Sequence, residues 1–103
     1  MDLTKYHYVE MIAEMKSISR AAQKLYISQP ALTKSLARLE QELGVRLFDR
    51  SSTPIRLTYA GERYLQGMKN IAAMKYQLDK ELEEIADMRK GRLVIGIPDT
   101  RSQ

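Results

Sequence analysis

The stretch SQPALTKSLARLEQELG, residues 28–44, decides the fold. Ser28 is a strong helix N-cap, and Pro30 falls in the first turn, where a missing N–H costs little. Leu32, Leu36, Leu39 and Leu43 follow at spacings of four, three and four, which predicts a helix with one buried stripe. Gly44 ends that helix, as glycine commonly does.

Upstream, Leu3, Tyr6, Val9, Ile12 and Ala13 share one face of a helix predicted to end near Met15. Ile18, Ala21, Ala22 and Leu25 make a second, shorter helix, with Ser17 or Ser19 as its cap. The paired alanines allow another helix to approach closely. Tyr26 and Ile27 leave only a tight connection to the 28–43 helix. Two helices joined by so short a turn resemble a helix-turn-helix.

Downstream, Arg46-Leu47-Phe48 and Ile55-Arg56-Leu57 flank a polar turn and predict a small hairpin, or wing. Thr58 can cap a final helix over about 59–88, roughly 45 Å long at ~1.5 Å per residue. Its apolar positions are Tyr64, Met68, Ile71, Leu78, Leu82 and Ile85, with Lys75 filling one gap. Steps that alternate four and three give a 3.5 period, the pattern of a helix-pairing seam, so dimerisation through this helix is expected. Beyond it, Leu93-Val94-Ile95 forms a continuous apolar run of the kind buried in a parallel sheet. A lone strand of that kind is not stable, so the chain is expected to be the front part of a longer protein.

Composition narrows the chemistry. Among 103 residues there is no cysteine and one histidine, which argues against thiolate, redox and most metal sites. No apolar run approaches the ~20 residues of a membrane span, and no export signal begins the chain, so a cytoplasmic location is expected. His7 lies on a predicted helix among apolar residues, and Glu81, Glu83 and Glu84 read as a solvated face. The glycines are scattered rather than gathered into a phosphate-cradling loop. Catalysis therefore has no support, and no cofactor is implied.

The net charge is +4, and its distribution matters more than its size. Between Lys16 and Leu39 lie Lys16, Arg20, Lys24, Lys34 and Arg38, with no aspartate or glutamate. Rotating 100° per residue from the leucine stripe puts Pro30, Lys34, Ala37 and Gln41 on the opposite face, flanked by Thr33 and Arg38, with Gln29 in the first turn. This face suits the major groove of duplex DNA. Glutamine can pair with an adenine edge, lysine can reach guanine acceptors, and alanine or threonine methyls can touch thymine. Ser28 and the first backbone amides can hold phosphate. Lys24, Arg50 and Arg56 would add contacts that carry no sequence information. The rival reading is a winged helix that recruits a protein through its long helix and never touches DNA. Steep salt dependence of duplex binding separates the two. A membrane-surface role fits poorly with the acidic cluster on the long helix.

Several blocks together resemble the LysR-type transcriptional regulators. They are residues 17–25 (SISRAAQKL), 28–33 (SQPALT), 39–44 (LEQELG), 47–50 (LFDR) and 57–61 (LTYAG), in the family's order and spacing. The resemblance implies a mainly α fold: a winged helix-turn-helix with a two-stranded wing over 1–58, a linker helix over 59–88, and a hinge with the first strand of an effector-binding domain over 89–103. It further implies a homodimer, possible tetramers of the full-length protein, and double-stranded DNA with an interrupted palindrome as partner. A small-molecule effector would bind only the domain beyond. The positions matching the family's recognition residues are Gln29, Pro30, Thr33, Lys34 and Arg38, with Arg50 near phosphate. Two departures stand out. Many relatives carry a wing arginine that enters the minor groove where this chain reads Ser51-Ser52-Thr53-Pro54, leaving Arg56 as a weak substitute. Lys16 stands where many relatives have glycine.

Overall fold

A computed structural model describes residues 3–91. The elements are α1 (Leu3–Met15), α2 (Ile18–Leu25), α3 (Gln29–Leu43), β1 (Phe48–Asp49), β2 (Arg56–Leu57) and α4 (Tyr59–Arg89). The 93–95 strand expected from the sequence lies outside the described residues. Described residues up to Asn70 gather into one compact unit, and a second unit begins at Ile71, within α4.

The first unit is built around the α3 stripe. Leu32, Leu36 and Leu39 are buried against Val9 and Ile12 of α1 and Ala21 and Ala22 of α2, with Leu47 and Phe48 closing the cluster. Both alanines are almost wholly buried, which is the close helix approach that their small side chains permit. Leu43 departs from the expected stripe. It is 36% exposed, because the core stops one turn before the helix does.

Local chemistry sets the helix ends. Of the two candidate serines, Ser17 caps α2 and accepts the Arg20 N–H at 3.1 Å. Gly44 ends α3 at φ 75, its N–H donating to the Glu40 carbonyl at 2.8 Å. Lys16 also adopts a left-handed conformation, φ 56. A side chain there costs on the order of 1 kcal/mol that glycine would not.

The wing is shorter than the sequence predicts. β1 and β2 pair antiparallel through Phe48↔Leu57 and Asp49↔Arg56 only. At Leu47 the two backbone groups part company, the carbonyl still facing Thr58 in the hairpin register and the N–H turned to a side chain. The Leu47 N–H donates to the buried Glu40 carboxylate, and its carbonyl accepts the Thr58 N–H.

Thr58 ties the start of α4 to the wing. Its hydroxyl donates to the Arg46 carbonyl at 2.6 Å and accepts the Gly61 N–H at 3.0 Å. Gly61 rests directly on the chain entering β1. A Cβ there would collide with the Leu47 carbonyl oxygen and lie 2.8 Å from Leu57 Cδ2. The Leu47 carbonyl is already held by Thr58, so it has little room to retreat. Gly61→Ala is therefore expected to destabilise the unit by about 3 kcal/mol, the upper end for overpacking. Chemical denaturation followed by circular dichroism measures this, and an unchanged midpoint would mean the helix start can shift.

Candidate nucleic-acid interface

The turn between α2 and α3 is fixed by backbone geometry. Tyr26 sits at φ 59 in the left-handed region, and the next amide, Ile27 N–H, donates to the Ala22 carbonyl at 3.1 Å. The chain then extends through Ser28, whose Oγ accepts the Ala31 N–H at 3.2 Å and starts α3. Neither α2 nor α3 carries an acidic residue in its first turn.

Gln29, Pro30, Thr33, Lys34, Ala37, Arg38 and Gln41 are all exposed, while the leucines behind them are buried. Gln29, Pro30, Thr33, Lys34 and Ala37 line one shallow depression of about 480 Å³. Toward the other end of α3, Thr33, Ala37 and Gln41 share a groove of about 520 Å³ with Arg46 and Arg50. Lys24 is exposed on α2 and Arg56 on β2.

Glu40 extends the uncharged-to-basic character of this face. It is the only buried charged residue among those described. One of its oxygens accepts the Leu47 N–H at 2.7 Å and the Phe48 N–H at 3.3 Å, and the other accepts Arg50 Nη2 at 3.0 Å. Burial turns this carboxylate inward and Arg50 offsets its charge. Glu42 is exposed and lies 3.6 Å from Lys5 of α1.

Arg50, expected near DNA phosphate, also has a place in the fold. Its guanidinium is engaged with Glu40 and its side chain is 31% exposed, so it first links the wing to α3. In the wing, Asp49 sits opposite Arg56. The Asp49 carboxyl is held below the usual carboxylate pKa by the Ser51 hydroxyl, then by the Ser51 N–H, with a smaller contribution from Arg56. A depressed carboxylate stabilises the turn above its ordinary pKa, and that support is lost as pH falls through the folded value.

The expected dimerisation residues divide into two sets. Met68 is buried within the first unit, and Tyr64 is half-buried against its core. The first turns of α4 cover the winged helix, so those two positions serve the domain's own core rather than a free seam. Ile71, Leu78, Leu82 and Ile85 are exposed on the second unit. Met74, missed in the sequence, is exposed too. It lies three residues after Ile71 and four before Leu78, so it fills the gap assigned to Lys75. Lys75 instead pairs with Asp79 at 2.8 Å.

Sequence reasoning also missed Arg46, which it placed in a strand. Its only signal was a base two residues beyond Gly44. No group of three or more His, Cys, Asp or Glu able to hold a metal ion occurs among the described residues. No helix among them is long and apolar enough to cross a membrane.

Helix-turn-helix, two-stranded wing and long following helix define a winged-helix DNA-binding domain. Residues 3–62 match the family described as bacterial regulatory helix-turn-helix protein, lysR family, and the chain belongs to that family. It is 36% identical over 98 residues to the uncharacterized HTH-type transcriptional regulator YcgK of Bacillus subtilis, covering 95% of this chain and 30% of that protein. It is 37% identical to the HTH-type transcriptional regulator BsdA of the same organism, over 93% of this chain and 33% of BsdA. The chain therefore spans about a third of these relatives' length. Among solved structures, the BenM_DBD/benA site 1 DNA complex superposes with a TM-score of 0.76 at 32% identity, covering 84% of this chain and 97% of that one. The CbnR_DBD–DNA complex gives 0.76 at 31% identity, over 84% and 99%. The family is one of transcriptional regulators, not enzymes.

Proposed function

We propose that this chain is the DNA-reading end of a LysR-type regulator that binds double-stranded DNA sequence-specifically as a homodimer. Each α3 enters the major groove of one half-site of an interrupted palindrome. Residues 1–58 form the reading head, 59–88 the linker helix, and 89–103 lead into a domain that takes a small-molecule effector. The protein then works in the cytoplasm, on the nucleoid. The observation that carries this reading is the α3 face itself. Gln29, Thr33, Lys34, Ala37, Arg38 and Gln41 are exposed together, and the nearest carboxylate, Glu40, is folded inward. Similarity to BenM and CbnR, both solved on DNA, supports the same geometry.

On this reading Gln29 and Lys34 read base edges, Ser28, Lys24 and Arg56 hold the backbone, and Thr33, Pro30 and Arg38 fit the groove wall. Gln29→Ala or Lys34→Ala is expected to cost about 1–3 kcal/mol against the preferred site and to loosen base preference. Fluorescence anisotropy with selected and random duplexes measures both effects. Equal losses on the two would reduce these side chains to phosphate contacts. Binding that ignores salt would favour a protein-recruiting adaptor instead.

A further inference from the structure

We propose that Arg46 is a phosphate clamp, holding the DNA backbone where it crosses between α3 and the wing; this rests on the DNA-binding reading above. Arg46 lies on the ridge between two grooves. One, of about 520 Å³, has the α3 residues Thr33, Ala37 and Gln41 as its other wall. The second, of about 590 Å³, includes Arg56, Asp49 and Ser51 of the wing. A strand running from the α3 face to the wing would have this residue beside it.

Of the two arginines in the α3 groove, only one has its charge to spare. Arg50 is engaged by Glu40. The Arg46 guanidinium is exposed and has no hydrogen-bond or ion-pair partner among the described residues. Its backbone, by contrast, is held from both sides. The Arg46 carbonyl accepts the Thr58 hydroxyl at 2.6 Å, and the following amide, Leu47 N–H, donates to Glu40 at 2.7 Å. A free guanidinium on an anchored backbone loses less freedom on meeting a phosphate, and its planar fork matches phosphate oxygens. It also supplies a cation beside a wing whose tip, Ser51-Ser52-Thr53-Pro54, has none.

The test uses the full chain, with a mixed-sequence duplex and a duplex bearing an interrupted palindrome, titrated across a salt series. Arg46→Ala should weaken binding to both duplexes alike, by roughly fivefold to tenfold, and shrink the salt slope by about 0.9, the share of one phosphate. Arg46→Lys should recover most of the slope, and the thermal melt of both variants should match the parent, since the side chain is exposed. Wild-type affinity and slope in Arg46→Ala, while Lys34→Ala weakens binding, overturns the clamp and leaves the DNA reading standing. A loss confined to one base-pair substitution would make Arg46 a base reader and also overturns it. If the unaltered chain binds neither duplex, the clamp and the DNA-binding reading fall together.

Discussion

Glu40→Ala is expected to destabilise the winged-helix unit by about 4 kcal/mol, the summed cost of leaving two buried donors unpaired. Glu40 satisfies the N–H groups of Leu47 and Phe48, two residues with almost no solvent access. Removing the carboxylate leaves both donors buried and unpaired, at about 1–3 kcal/mol each. Arg50 adds little to the loss, because its partly exposed guanidinium can return to water. For a unit of this size the melting temperature should fall by roughly 20 °C. Arg50→Ala leaves the two backbone bonds intact but takes the counter-charge from the buried Glu40 carboxylate, and should cost about 3 kcal/mol. Thermal melts of the two variants and of their double form a cycle that isolates the pair. A Glu40→Ala melt within a few degrees of the parent would show that water replaces the carboxylate, and that the wing is not fixed through it.

The second large effect concerns association. Leu78→Lys combined with Leu82→Lys is expected to weaken dimerisation by about 5 kcal/mol, more than a thousandfold in dissociation constant. Both leucines are over half exposed in the single chain, on a helix that also exposes Ile71, Met74 and Ile85. A symmetric pairing would bury four leucine side chains, each contributing about 1.5–3 kcal/mol when fully removed from water. The introduced ammonium groups would face one another across the seam. Sedimentation equilibrium should report a monomer, and affinity for a two-half-site duplex should drop toward that for one half-site. A sedimenting mass unchanged from the parent would sink the linker-helix dimer. Tyr64 and Met68 are unsuitable for this test, since Met68 is buried and Tyr64 packs against the winged-helix core, so their replacement would also destabilise the fold.

Much of the architecture was legible in residues close together along the chain. Ser17, Ser28 and Gly44 act on amides or carbonyls within four residues of themselves, and Thr58 accepts the Gly61 N–H in the same way, so helix boundaries follow from local chemistry. The leucine spacing of α3 likewise names its buried face, apart from Leu43 at the fraying end. The candidate recognition face was readable as the complement of that stripe. What escaped were contacts between positions distant in sequence. Nothing near Glu40 announces that it will serve amides seven and eight residues on, nor that Arg50 will be drawn to it. Heptad-like spacing runs on both sides of the Lys75 gap in α4, so it could not tell Met68, covered by its own domain, from Leu78, left bare.

By itself the sequence determined the order and ends of the helices, the leucine stripe of α3 and the acid-free run opposite it, because periodicity and capping are nearest-neighbour effects. Tertiary structure alone decided which charges remain available. Whether a carboxylate or guanidinium faces water or a partner depends on desolvation and on groups brought together by packing. That is why Arg50 closes the fold while Arg46, only four residues earlier, is left free.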